Sequence, residues 1–144
     1  MSEPTVVKSL TTLVTLRERA VDRLAAEMAE KRQARERFER NLERLKSLAA
    51  DASAQGKAPA LALNAAYYKQ AVLQLADVHR VDLALHEADM AVTQKALDTA
   101  AQKREVLGQV LAREQQRVVD AQQKVEQRRQ DELASLQWFR STRS

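Results

Sequence analysis

Cysteine is absent from the chain, which excludes disulfides and thiolate metal sites and fits a reducing compartment. Glycine and proline occur only twice each in 144 residues, too few turn-formers for a chain that folds back many times. With only 3% aromatic residues, a thick core is also excluded. No apolar run approaches the ~18 residues of a membrane span, and Met1 to Ala20 lacks the apolar stretch of a signal peptide. The expectation is a protein made and kept in the cytoplasm.

What the chain does have is Ala, Gln, Glu, Arg and Leu, the usage of coiled coils. Ala76, Leu83, Met90, Leu97, Leu111, Val118 and Val125 fall one heptad apart, with Arg104 as the interruption, and Ala100, Leu107 and Ala121 fill companion positions. An apolar stripe of period 3.5 is buried only against another helix that follows the same supercoil. Gly108 costs about 1 kcal/mol relative to alanine without ending a helix.

The segment from Asp51 to Pro59 reads as a loop. Gly56 suits a helix C′ position and Pro59 a helix start, with Asn64 a second candidate N-cap. Ser2, followed by Glu3 and Pro4, suits the start of the first helix. In that helix Leu10, Leu13, Ala20, Leu24, Ala34, Phe38, Leu45 and Leu48 share one register, interrupted by Arg17, Glu27, Lys31 and Asn41. Val14, Val21, Met28 and Leu42 form a neighbouring stripe. The expected fold is all-α: a single hairpin domain over residues 1–144, with helix one about 3–52, a loop about 53–60 and helix two about 61–138. The short loop makes the two long helices an antiparallel coiled coil. Helix one then spans about 75 Å and helix two about 110 Å. Pairing outward from Gly56 sets Pro4 opposite a residue near Gln109, so the rest of helix two is a C-terminal helical overhang. Leu111, Val118 and Val125 continue the stripe there, which points to an external partner, a self-associating end or a frayed one.

Catalytic chemistry finds little support. His79 and His86 lie two turns apart, about 10 Å in rise, too far to share a metal. Asp131 and Glu132 are neighbours that point in different directions, and no phosphate-cradling glycine loop exists. The chain is read as a non-enzyme with no cofactor and no metal. The net charge of +4, from 24 basic and 20 acidic residues, is small and interleaved. Even the basic stretch Lys31–Lys46 contains Glu36, Glu39 and Glu43, and aromatics for base stacking are scarce around it, so no nucleic acid is expected. Tyr68, Val72, Leu75 and His79, spaced four, three and four, share a face beside the main seam. That face either contacts another protein or closes the hairpin end over helix one.

Three stretches carry a resemblance to a known family. They are Ser9-Leu10-Thr11-Thr12-Leu13-x-x-Leu16 with Val21; Tyr68, Val72, Leu75 and His79; and Gln127-Arg128-Arg129-x-Asp131-Glu132-Leu133-Ala134. In order and spacing the chain resembles the FliJ family, the small soluble component of the flagellar type III export apparatus. Departures are Val72 and Leu75 in place of Leu and Ala, a tyrosine hydroxyl at residue 68, and Leu48 and Ala52 where the family often carries tyrosines. The virulence-type counterpart, the YscO family, has the same length and hairpin form, and a generic coiled-coil scaffold is the other alternative.

The resemblance implies a two-helix central stalk in the ring of the export ATPase FliI. Such a stalk promotes ring assembly, contacts the cytoplasmic region of the export gate FlhA and recycles export chaperones. Mapped onto this chain, Tyr68, Val72, Leu75 and His79 would meet the gate or the ATPase, and Leu111, Val118 and Val125 the ATPase ring. Its place would be the cytoplasm, peripheral at the cytoplasmic face of the inner membrane, with membrane association only indirect through the apparatus.

Overall fold

A computed structural model describes residues 3–54 and 58–143. Helix α1 runs Glu3–Ala54 and helix α2 Pro59–Thr142. The two long helices pack against each other as a helical hairpin, with no strand among the described residues. Ser2 and Gly56, read as helix-boundary residues, lie outside the described residues. At the start of α2 the Ala62 N–H donates to the Ala58 carbonyl at 2.7 Å, so Pro59 occupies the first helical position, where its missing N–H costs nothing. Asn64 therefore lies inside the helix and does not cap it. α2 ends with Ser141 and Thr142 hydroxyls donating back to the Trp138 carbonyl.

The contacts divide the chain into two compact units. One is Val21–Thr99; the other combines the end segments, up to Ala20 and from Ala100 onward.

In the Val21–Thr99 unit, the antiparallel sense follows from the partners of three α1 residues. Lys31 meets Asp89 and Thr93, Arg35 meets Glu87, and the Phe38 ring lies 5.5 Å from that of His86. Partner numbers fall on α2 as they rise on α1. The seam on α2 steps through Ala65, Lys69, Val72, Ala76, His79, Leu83, His86, Met90, Thr93 and Leu97, alternating four and three, and every one of these is buried or half-buried. Among the described residues the well-buried apolar ones belong to this unit: Met28, Leu42, Ala49, Ala52, Val72, Ala76 and Met90. Among the described residues no large side chain is fully enclosed, because a two-helix seam has only one partner surface to offer.

Two expectations need correction here. On α1 the seam follows Val21, Leu24, Met28, Lys31, Phe38, Leu42, Leu45, Ala49 and Ala52, while Leu48 is 44% exposed. Strict 4-3 steps from Ala52 thus take Leu24, Phe38 and Leu45 from one expected stripe and Val21, Met28 and Leu42 from the other, and miss Leu48. The pairing is also displaced. Outward pairing from Gly56 would set Lys31 opposite Val81, yet its partners are His86, Asp89 and Thr93.

Lys31 is the polar layer of this seam. Its Nζ donates to Thr93 Oγ1 at 2.7 Å and pairs with Asp89 at 2.8 Å and Glu27 at 3.1 Å, while His86 Nε2 donates to the Lys31 carbonyl at 2.7 Å. The bond to Asp89, then that to Glu27, holds the Lys31 amine above its ordinary range; the same Lys31 bond holds the Asp89 carboxyl below its own. Thr93 is buried, and Lys31 gives its hydroxyl the partner that burial demands.

In the unit of the end segments, Val6, Val7, Leu10 and Val14 of α1 are half-buried while Leu13 and Leu16 are exposed. On α2 the same 4-3 stepping continues through Ala100, Arg104, Leu107, Leu111, Glu114, Val118 and Ala121, all half-buried, and every described residue from Gln122 onward is exposed. The uncovered stretch thus begins after Ala121, not after Gln109. Gly108 precedes that stretch and is half-buried, with open space where a Cβ would stand. Gly108→Ala is expected to raise stability by about 0.5–1 kcal/mol through helix propensity alone, read from paired thermal melts.

Candidate partner-binding surfaces

The face read as Tyr68, Val72, Leu75 and His79 does not hold together as one surface. Val72 is only 8% exposed, a core residue, and His79 occupies the seam. Spacings of four, three and four alternate between a seam position and the position one residue before the next, so the four residues split into two pairs. Tyr68 and Leu75, 49% and 48% exposed, remain outside. The buried Nδ1 of His79 has no hydrogen-bond partner among the described residues, which favours a positional role over a free polar tip.

Tyr68 also forms part of an open cleft of about 500 Å³ at the hairpin end, lined by Leu48, Asp51 and Ala52 of α1 and Leu61, Asn64 and Ala65 of α2. The ring neither plugs the hairpin nor stands free: it walls one side of a groove whose other wall includes the exposed Leu48. Tyr67, 64% exposed, points away from the seam altogether.

The second expected surface lies in the unit of the end segments. Leu111 and Val118 are half-buried, and Val125 is exposed. Beyond Val125 a polar stretch, Glu126 to Glu132, separates it from an apolar cluster that sequence reading missed: Leu133, Leu136, Trp138 and Phe139, all exposed. Trp138 and Phe139 meet edge to face with centroids 5.3 Å apart, and Leu136 and Phe139 line a shallow surface cleft with Asp131, Glu132 and Ser135. The signal was available. Two of the chain's five aromatic residues stand side by side within its last seven positions.

A helical hairpin with an exposed C-terminal stretch is a shape many proteins share; the pattern along the whole chain is more selective. The family model described as Flagellar FliJ protein matches residues 7–143. The chain belongs to the FliJ family. The match runs through both helices, including the hairpin cleft and the C-terminal stretch, and makes this a flagellar export-related protein. No curated protein and no solved structure matches the chain significantly. Among the described residues no helix of this FliJ-family chain is long and apolar enough to cross a membrane.

Proposed function

We propose that this chain is a non-enzymatic, central-stalk-like component of the flagellar export apparatus that binds the export ATPase FliI, promotes assembly of its ring, contacts the export gate FlhA and helps recycle export chaperones. The observation that carries the reading is the exposed end of α2. From Gln122 to Arg143 no described residue is covered, yet Val125, Leu133, Leu136, Trp138 and Phe139 keep a large apolar surface there. Apolar surface of this extent on a water-exposed helix favours a protein partner, and a ring lumen is a partner that receives a helix end. Tyr68, with the cleft it walls, and Leu75 form the surface assigned to the gate. Association with the inner membrane is then indirect, through the apparatus. The virulence-type YscO role would use the same surfaces, and the ATPase that co-purifies distinguishes the two.

Val125 isolates the ring contact better than Val118, because a charge at the half-buried Val118 would also disturb the hairpin. Val125→Asp combined with Leu136→Asp is expected to leave far-ultraviolet circular dichroism and the melting temperature unchanged, and to reduce stimulation of the export ATPase about ten-fold or more, the size of a lost hot-spot contact. Full stimulation by the folded double variant would remove the overhang from the ring contact.

A further inference from the structure

The set of α2 residues that receives Lys31 occurs twice in the sequence. In the observed register His86 Nε2 donates to the lysine carbonyl at 2.7 Å, Asp89 pairs with its Nζ at 2.8 Å, and Thr93 Oγ1 accepts from that Nζ at 2.7 Å. One heptad nearer the start of α2 stand His79, Asp82 and His86: a histidine, a carboxylate and a polar acceptor, again at spacings of three and four. The second set has the same placement on the helix. His79 and His86 are both half-buried in the seam, and Asp82, like Asp89, is exposed beside it. It is also unused. Among the described residues the buried Nδ1 of His79 has no hydrogen-bond partner, and the Asp82 carboxylate takes part in no ion pair or hydrogen bond.

A seam stepped by four and three maps onto itself when one helix slides by a heptad, about 10 Å along the axis. Such a slide toward the start of α2 takes Lys31 from one set to the other. Its carbonyl then meets His79, and its amine meets Asp82 and His86. The Phe38 ring, which lies against His86, passes to His79. Glu27 is on α1 and travels with the lysine. Met28, Leu42 and Leu45 still face the α2 seam, because each moves to the equivalent seam position one heptad earlier. Other slides give the amine no carboxylate. A heptad in the opposite direction offers Thr93, Ala96 and Ala100, and a half-step of three offers Leu83, His86 and Met90. Two contacts favour the observed register. Arg35 pairs there with Glu87 but would face Arg80 after the slide, and the buried Thr93 hydroxyl would lose Lys31.

We infer that the Val21–Thr99 hairpin has a second register one heptad along, in which Lys31 docks on His79, Asp82 and His86. The lysine layer is a latch with two positions, since every intermediate offset leaves the half-buried amine without a carboxylate across the seam. A partner that binds one register better than the other draws the hairpin into it.

The cysteine-free chain allows spin labels at Asn41→Cys and Ala96→Cys, exposed positions on the two helices. Pulsed dipolar spectroscopy of the full chain then reads the register, because the slide lengthens this distance by about 10 Å. The labelled chain is expected to give mainly the shorter distance. Asp89→Ala with Thr93→Val empties the first set and should raise the ratio of long to short about ten-fold or more. Adding Asp82→Ala should cancel that gain. Arg80→Glu with Glu87→Arg leaves both sets intact and should also populate the longer distance, because Arg35 then finds its carboxylate only after the slide. Circular dichroism checks that each variant keeps its helices. If Asp89→Ala with Thr93→Val fails to fold, the charge exchange decides by itself. Folded variants that all keep the single shorter distance would overturn the inference. So would a continuum of distances without a second maximum, or a gain that survives Asp82→Ala.

Discussion

Ala76→Asp is expected to unfold the Val21–Thr99 unit at ordinary temperature, with a loss of about 3–5 kcal/mol, the usual result of an uncompensated buried charge. Ala76 has no exposed surface at all, and it stands mid-seam between Val72 and His79. A carboxylate there has no room and loses its water. The contrast is Ala84→Asp, eight residues on along the same helix but exposed; its effect should stay within about 0.5 kcal/mol. Thermal melts followed by circular dichroism compare the two directly. Equal melting temperatures would mean that the seam does not carry the stability of this unit.

Tyr68→Ala combined with Leu75→Ala is expected to weaken binding of the export gate's cytoplasmic domain ten- to a hundred-fold, about 1.4 to 2.8 kcal/mol, while the melting temperature changes little. Both side chains are half exposed and one residue outside the seam, so their removal opens no cavity. A tyrosine walling an apolar cleft is the residue type that anchors interfaces. His79→Leu makes the informative companion: it fills the seam with an apolar side chain and removes the unpaired Nδ1, so the hairpin should be at least as stable. If gate binding survives that change but not the loss of Tyr68 and Leu75, the contact lies on the outer pair. Unchanged binding in all three folded variants would leave this face idle and move the gate contact elsewhere.

Much of the molecule was legible before any coordinates. Two glycines, two prolines and a sustained 3.5-residue period leave little room for anything but long helices and one sharp turn, because local preference and patterning agree over nearly every residue. The α2 seam from Ala76 to Val118 follows from periodicity, since a helix with one apolar stripe must bury that stripe. The exposed end of α2 follows from the same source, as one helix is longer than the other.

Register needed the tertiary structure. On α1 two apolar stripes lie side by side, and sequence cannot say which faces the partner, because both offer similar area and differ only by a small rotation of the helix. The packed face draws on both, with Leu24, Phe38 and Leu45 of one beside Met28 and Leu42 of the other, and leaves Leu13 and Leu48 in solvent. The displacement of one helix along the other depended on Lys31, an apparent break in the apolar pattern that became a bonded layer with Asp89, Thr93 and His86. A long-range polar match of that kind joins residues about sixty positions apart, and no local pattern announces it. The same holds for Val72 and His79, which lie on the same side of α2 as Tyr68 and Leu75 but are turned into the seam. Sequence by itself determined that this chain is a pair of long helices of the FliJ kind. Which side chains those helices hide, and therefore which remain to meet a partner, was decided by how they slide and rotate against each other, because a shift of a few residues exchanges the buried and exposed members of a heptad at almost no cost in local helix preference.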